Sequence, residues 1–394
     1  MSHYPYLVIG GGMTADAAVR GIRDRDAEAP IGLIGDEQDA PYARPPLSKA
    51  LWKGEPLESV WRNTADAGVD QHLGRRVMSL DLGSRRAVDQ QGDEYTFEKV
   101  LLATGGTPRR LPFGRDDDGV IYFRTLEDYR RLRGLSEQGK TFAVIGGGFI
   151  GSEVAAALAM QGREVTMLFP DQGIGARVFP ADLSRFLVGY YRDKGVDARP
   201  GERLKAIRRE AGRSILETES GQRVVADAVV AGIGITPNTE LARSAGLPVD
   251  DGIVVDERLR AGRPDVFAAG DVARFDAPAL GKRIRVEHED NAVTMGRHAG
   301  RSMAGDPAPY DHLPFFYSDL FDLGYEAVGD TDARFETVAD WKEPFREGVV
   351  YYVDQGRVRG VLLWNVWGQV DAARALIAEK NPVRPGDLAG RLPA

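Results

Sequence analysis

Apolar residues along the chain come in short unbroken runs, most of them ending in glycine: YLVIGGG at 6–12, IGLIG at 31–35, KVLLATGG at 99–106, FAVIGGG at 142–148, EVTMLFP at 164–170, VVAGIGI at 229–235 and DVFAAGD at 265–271. Runs of this length without polar alternation predict strands covered on both faces, as in a parallel sheet. Between the first two runs, residues 13–25 place Ala15, Ala18, Val19 and Ile22 on one helical face. Residues 5–35 therefore read as strand, helix, strand, and residues 141–170 repeat the pattern. Residues 76–104 alternate as hairpin strands before the buried KVLLAT, and a helix over 182–194 precedes further hairpin strands to about 230. The segment 41–63, rich in Pro, Trp and Lys, reads as an ordered loop with a short helix from about Leu47. The Pro, Gly and Asp residues of 108–119 mark a boundary. Beyond 310 the glycine-ended runs stop, and strands precede a final helix, which predicts a separate α+β domain.

The two strand–helix–strand units carry the same turn. Gly10-Gly11-Gly12-Met13-Thr14-Ala15 fits G-x-G-x-x-[G/A], and Gly146-Gly147-Gly148-Phe149-Ile150-Gly151 fits with glycine at all three positions. Such a turn lets a pyrophosphate approach the backbone N–H groups at a helix start, and an acidic residue after the next strand accepts from ribose hydroxyls. Asp36 and Glu37 stand there in the first copy and Asp171 in the second. One match is weak, because small residues also pack helix on strand. Two matches, each with its acid in register, imply two dinucleotides. AAGD at 268–271 places a carboxylate, Asp271, at the end of another buried strand, which suits an elongated ligand such as FAD; a helix N-cap is the plainer use of the same residue. FAD is therefore assigned to the first turn and NAD(H) to the second. Asp171 favours NADH, since a carboxylate repels the 2′-phosphate of NADPH, although Arg177 is close in sequence. The fold class expected is α/β, with two Rossmann-like dinucleotide-binding domains, for FAD and NAD, plus the C-terminal α+β domain. The FAD domain is discontinuous, 1–111 and 233–309, the NAD(H) domain spans 112–232, and the last domain covers 310–394.

Composition narrows the chemistry. The chain has 394 residues, 43% of them hydrophobic and 28% charged, with a net charge of −8, which argues against nucleic acid or an anionic membrane as a partner. No apolar run reaches the length of a membrane span, and the N-terminus enters a strand without a signal-like segment, so a cytoplasmic protein is expected. There is no cysteine, which excludes a dithiol relay and iron–sulfur ligation by this chain. The five histidines show no paired ligand spacing, and no metal is expected.

With these motifs in view, the chain resembles the FAD-dependent pyridine nucleotide reductases, in the branch of oxygenase-coupled ferredoxin reductases, rubredoxin reductases and apoptosis-inducing factor. The resemblance covers essentially the whole length and rests on PYARPPLSK (41–49), ATGGTPRRLP (103–112), GGGFIGSE (146–153), FAAGDVA (267–273), VEHEDNAVTMGRHAG (286–300) and FFYSDL (315–320). It implies that Lys49 lies near the flavin and pairs with Glu153 beside the nicotinamide. It also implies that Arg44 and Pro45 flank the flavin and that Glu287, His288 and Asn291 line its pyrimidine side. Ala103, Thr104 and Gly105, with the echoing Gly234, join the cofactor-binding positions, as do Phe149 and Ile150 of the second turn. Without the resemblance, Lys49 and Glu153 read equally as separate surface charges. Where relatives carry tryptophan, Tyr317 stands here, an aromatic face that can still stack. Phe315, Phe316, Trp364 and Trp367 read as core or as cofactor wall.

The function implied is hydride transfer from NADH to FAD, with both rings stacked between domains, followed by single-electron transfer to an acidic ferredoxin or rubredoxin. Lys282, Arg283 and Arg285 are the expected docking rim, with solvated charge as the alternative. A redox sensor like apoptosis-inducing factor, forming a stable charge-transfer complex, is the competing reading. A direct reductase of a small radical is a third, which no residue specifically supports. A monomer or homodimer is expected.

Overall fold

Each of the glycine-ended runs forms a strand, and the strands sort into two parallel sheets. The structure, a computed structural model, describes residues 2–113 and 119–393; positions 114–118 of the expected boundary segment lie outside the described residues. The chain forms two compact units, one of residues 1–44, 57–107 and 236–314 and the other of residues 45–56, 108–235 and 315–394.

In the first unit, Ser2–Ile9 lies between Glu94–Leu102 and Ile31–Ile34, parallel to both; Val266–Ala268 and Asp70–His72 extend the sheet on either side. Leu7, Val8, Leu33, Leu101, Leu102 and Ala268 are fully buried, as expected for strands covered on both faces. Strand order reverses at Ser2–Ile9, so the crevice above its carboxyl end is where such sheets bind ligands. Two helices, Met13–Arg23 and Glu289–Met303, cross with backbones almost touching. A Cβ added at Gly296 would lie 2.4 Å from the Thr14 carbonyl, and one at Gly300 2.0 Å from that of Ala18. The GRHAG stretch therefore docks the second helix on the first. Arg297 and Arg301 both bind Asp24, holding its carboxyl at about 2 against an ordinary 3.8, chiefly through the Arg297 hydrogen bond.

The second unit repeats the arrangement. Thr141–Ile145 lies between Glu164–Phe169 and Ala228–Ala231, with Val196–Pro200 and Val120–Tyr122 at the edges, all parallel. Leu204–Glu210, Arg213–Thr218 and Arg223–Ala226 form an antiparallel sheet whose Leu204, Ile207, Leu216 and Val224 pack on Ala143, Ile145 and Leu168. The C-terminal part is a five-stranded antiparallel sheet, ordered Phe315–Leu320, Leu323–Gly329, Arg357–Trp364, Glu347–Asp354, Glu336–Glu343, with the helix Val370–Ala378 packed on it. Strands preceding a helix agree with the expected α+β arrangement. Trp364 is core: it stacks on Tyr325, ring centroids 5.7 Å apart, and Phe179 meets both rings edge-on. The loop 41–63 departs from the expected helix. Pro45–Ser48, Ala50–Lys53 and Leu57–Val60 are single 3₁₀ turns: Lys49 leaves helical geometry at φ −127°, ψ −94°, and Gly54 ends the second turn in the left-handed region at φ +97°.

Candidate active site

Both glycine turns are built alike. Gly10 and Gly146 have positive φ, +136° and +114°, and a Cβ on either would collide with a carbonyl, that of Ala103 at 2.1 Å and that of Gly232 at 2.3 Å. Gly12 and Gly148 then cap their helices in extended backbone with no capping side chain, and a Cβ at either would point into open space. The first-turn N–H groups thus face a gap that a side chain would fill. A pyrophosphate suits that gap, so the residues present fit a dinucleotide in each unit.

Around the first turn, Ala15 is fully buried, and Glu37 accepts from Tyr42 Oη at 2.5 Å and from Arg44 Nη2 at 2.5 Å. Arg44 also lies 5.1 Å from the Tyr42 ring centre. Asp36, by contrast, is exposed and paired with Arg76 at 2.6 Å. Asp271 sits inside the 3₁₀ turn Gly270–Val272, whose capping residue is Ala269, so the N-cap use of Asp271 is not what the fold shows. Gly270 is seated against Thr14 of the first helix, and its N–H points to Met295 Sδ at 3.3 Å, which brings Asp271 near that helix start. Asn291 is completely buried; its Nδ2 donates to the Val286 carbonyl and its Oδ1 accepts from Tyr310 Oη at 3.2 Å. His288 caps the helix Glu289–Met303, and Glu287 pairs with Arg285 at 2.5 Å. Ala103, Thr104 and Gly105 follow the strand Glu94–Leu102, where the Thr104 hydroxyl donates to the Asn238 carbonyl at 2.8 Å and Asn238 Nδ2 returns a bond to the Thr104 carbonyl. Of the three cations expected to form a docking rim, Arg285 is only 10% exposed, while Lys282 and Arg283 lie exposed on a hairpin, Arg283 against Asp276.

The second unit gathers Pro45, Lys49, Glu153 and Tyr317, whereas Arg44 packs in the first. Glu153, on the helix Phe149–Met160, is 4% exposed and accepts three donors: Lys49 Nζ at 2.8 Å, Ser48 Oγ at 2.6 Å and Ser318 Oγ at 2.5 Å. Lys49 and Glu153 are therefore a buried pair and not separate surface charges. The Lys49 ammonium also lies 5.3 Å from the ring centre of Tyr317, which is 37% exposed. Below the carboxylate Tyr191 and Tyr325 are buried. Burial, and after it the Glu153 charge, push the Tyr191 and Tyr325 hydroxyls well above their ordinary values, so both stay protonated. Phe149 meets Phe316 edge-on at 5.1 Å, Ile150 adjoins it in the first helical turn, and Arg374 lies 5.5 Å from the Phe315 ring centre. Trp367 is half exposed. Gly151 is forced by packing, since a Cβ there would lie 2.0 Å from the Gly146 carbonyl. Asp171 follows Glu164–Phe169, its own carbonyl accepting from Gly201 N–H; the Arg177 side chain is exposed; Gly234 has φ +94° and its carbonyl accepts from Arg109 N–H at 2.9 Å.

Sequence reasoning missed Ser48, Ser318 and Tyr42. Each adjoins a residue it did single out (Lys49, Tyr317 and, two places on, Arg44), but nothing local says that a serine points at a carboxylate 105 or 165 positions away.

Two dinucleotide-binding folds in one chain, each with its glycine turn, define a pyridine-nucleotide-linked flavoprotein oxidoreductase. The chain belongs to the pyridine nucleotide-disulphide oxidoreductase family, whose pattern matches residues 4–296, and FAD and NADH are that family's cofactors. The C-terminal domain of mitochondrion-associated apoptosis-inducing factor matches residues 299–344 and 340–379. Relatives include the ferredoxin–NAD(+) reductase component of the anthranilate 1,2-dioxygenase system of Burkholderia cepacia, 35% identical over 99% of this chain and 98% of that one. Apoptosis-inducing factor 1 of Dictyostelium discoideum is 34% identical over 97% of this chain and 80% of its own. The crystal structure of the covalent putidaredoxin reductase–putidaredoxin complex superposes with a TM-score of 0.91 at 30% identity, covering 99% of this chain and 96% of that one. The family name mentions a disulphide; this chain has no cysteine. Among the described residues no helix is long and apolar enough to cross a membrane.

Proposed function

We propose that this protein is an NADH-dependent reductase that feeds single electrons to a ferredoxin- or rubredoxin-type carrier of an oxygenase or P450 system. The observation that carries the reading is the convergence of Lys49, Glu153 and Tyr317 in one cluster at the second glycine turn, with the carboxylate buried and the Tyr317 ring partly exposed. The flavin, when bound, supplies the redox chemistry, accepting a hydride and releasing electrons singly. The protein's part is to hold and to polarise. Gly10, Gly12 and Ala15 seat the FAD pyrophosphate, with Asp36 and Glu37 for its ribose and Asp271 for the ribityl chain. Arg44, Ala103, Thr104, Gly105, Glu287, His288 and Asn291 complete that site. Gly146, Gly148, Phe149, Ile150, Gly151, Asp171 and Gly234 seat NADH, and Asp171 favours it over NADPH by repelling a 2′-phosphate. Glu153 accepts from the carboxamide, Lys49 brings positive charge to where negative charge gathers, and Tyr317 offers a flat face. With no cysteine to relay them, electrons leave directly, and Lys282 and Arg283 attract an acidic carrier.

Rapid mixing of the flavin-loaded protein with NADH, followed by reoxidation with a panel of ferredoxins and rubredoxin, tests the reading. Fast bleaching and carrier-dependent recovery are expected. Slow recovery with every carrier, together with NADH-induced dimers, would favour the alternative of a redox sensor like apoptosis-inducing factor. The match of residues 299–379 to that protein's C-terminal domain supports this second reading.

A further inference from the structure

The Glu153 carboxylate has more donors than its pairing with Lys49 needs. Ser48 Oγ donates to Oε2 at 2.6 Å, and Ser318 Oγ donates to Oε1 at 2.5 Å, the oxygen that Lys49 also touches. Both serines are buried, 5% and 1% exposed, and both contacts have the short length of hydroxyl bonds to an anion. Neither hydroxyl has a better use for its proton. For Ser48 the other acceptor, the Pro45 carbonyl, lies at 3.5 Å, and for Ser318 the neutral Tyr325 hydroxyl is a weaker acceptor than the carboxylate. Lys49 is different. It sits at the head of the turn Ala50–Lys53 on a flexible four-carbon stem, and its ammonium already lies over the Tyr317 ring.

We propose that Ser48 and Ser318 are positioning residues that hold the Glu153 carboxylate by themselves, so that Lys49, whose ammonium meets the carboxylate and the Tyr317 ring from one position, is not what keeps it a carboxylate. The inference rests on reading this cluster as the hydride-transfer site and adds how it is built: the carboxylate is held by neutral hydroxyls, and the Lys49 charge is left for the charge that gathers on reduction. Each Glu153 oxygen keeps one strong donor when the Lys49 ammonium is removed, so its removal does not strand a bare buried charge.

The test is infrared spectroscopy of the flavin-loaded protein carrying ¹³C-labelled glutamate, with Glu153→Gln as the blank that assigns the band. In Lys49→Met the Glu153 band is expected to remain that of a carboxylate. In Lys49→Met with Ser48→Ala and Ser318→Ala it is expected to become that of a carboxylic acid, and Ser318→Thr in place of Ser318→Ala should restore the carboxylate. A carboxylic-acid band already present in Lys49→Met overturns the proposal. Thermal midpoints give a second readout should the triple variant not fold: Ser48→Ala/Ser318→Ala is expected to lose more than Lys49→Met, and the reverse order also overturns it. None of these readings uses NADH. Failure of NADH to bleach the parent would sink the reductase reading and leave the serine result standing.

Discussion

The two glycine turns share a fingerprint and differ in what they bury. Each helix they start carries one buried carboxylate within its first five residues, Asp16 in the first unit and Glu153 in the second. Asp16 is held by two arginines and a threonine: Arg62 Nε at 2.6 Å, Arg20 at 3.1 Å and the Thr64 hydroxyl at 2.8 Å. Arg20 also donates to the Arg62 carbonyl, so the charges around Asp16 are tied to one another and to backbone. Glu153 is held by two hydroxyls and one lysine, and that lysine faces an aromatic ring. A carboxylate fixed by guanidinium forks is a structural joint. One fixed by neutral hydroxyls, with a compact cation beside it, keeps a charge that can be shared with something else. Under the function proposed above, the same fold builds an anchor in one copy and a working group in the other.

The largest effect should come from breaking the anchor. Asp16→Ala leaves Arg62 and Thr64 without their acceptor in a closed site, and a loss of about 3 kcal/mol in urea unfolding is expected. Glu153→Gln keeps the shape of the other carboxylate and removes its charge. It should cost only about 1–2 kcal/mol in the same assay while slowing NADH-driven flavin bleaching on the order of a hundredfold. Equal stability losses from the two changes would erase the distinction between joint and working group.

The third turn position sharpens the comparison. Gly151→Ala drives a Cβ into the Gly146 carbonyl and should lower stability by about 1–3 kcal/mol, with weakened NADH binding in a calorimetric titration. Ala15→Gly makes the opposite change in the first turn and should cost only about 1 kcal/mol, from helix propensity, with flavin content unchanged. The smallest effect concerns Asp24, which ties the first glycine-turn helix to Glu289–Met303. Its carboxyl is held below the ordinary value, so its contribution is full above about pH 4 and fades as pH falls toward 2. The pair is half exposed, so Asp24→Asn should cost at most about 1 kcal/mol at pH 7, with parent and variant converging near pH 2 in thermal melts.

The sheets were legible because unbroken apolar runs have one good fate, burial between helix layers, and the glycines that end them mark where backbone must approach backbone. The 41–63 loop was less so: a short helix was expected from about Leu47, and the non-helical backbone of Lys49 and the left-handed Gly54 cut it into single turns. Lys49 and Glu153 could be named from their motifs, yet their burial could not, since it depends on Ser48 and Ser318 arriving from separate segments. Asp271 was ambiguous because a residue after a buried strand can start a helix or face a ligand. The contact of Gly270 with Thr14 turned it toward the first glycine turn.

The central claim is that the carboxylate of the second turn does chemistry while that of the first does not. The direct measurement is anaerobic rapid mixing of NADH with the flavin-loaded parent, Glu153→Gln and Asp16→Asn, following flavin absorbance. The account predicts fast bleaching in the parent and in whatever Asp16→Asn protein retains flavin, and bleaching slowed on the order of a hundredfold in Glu153→Gln at full flavin content. Bleaching by Glu153→Gln at the parent rate would contradict it.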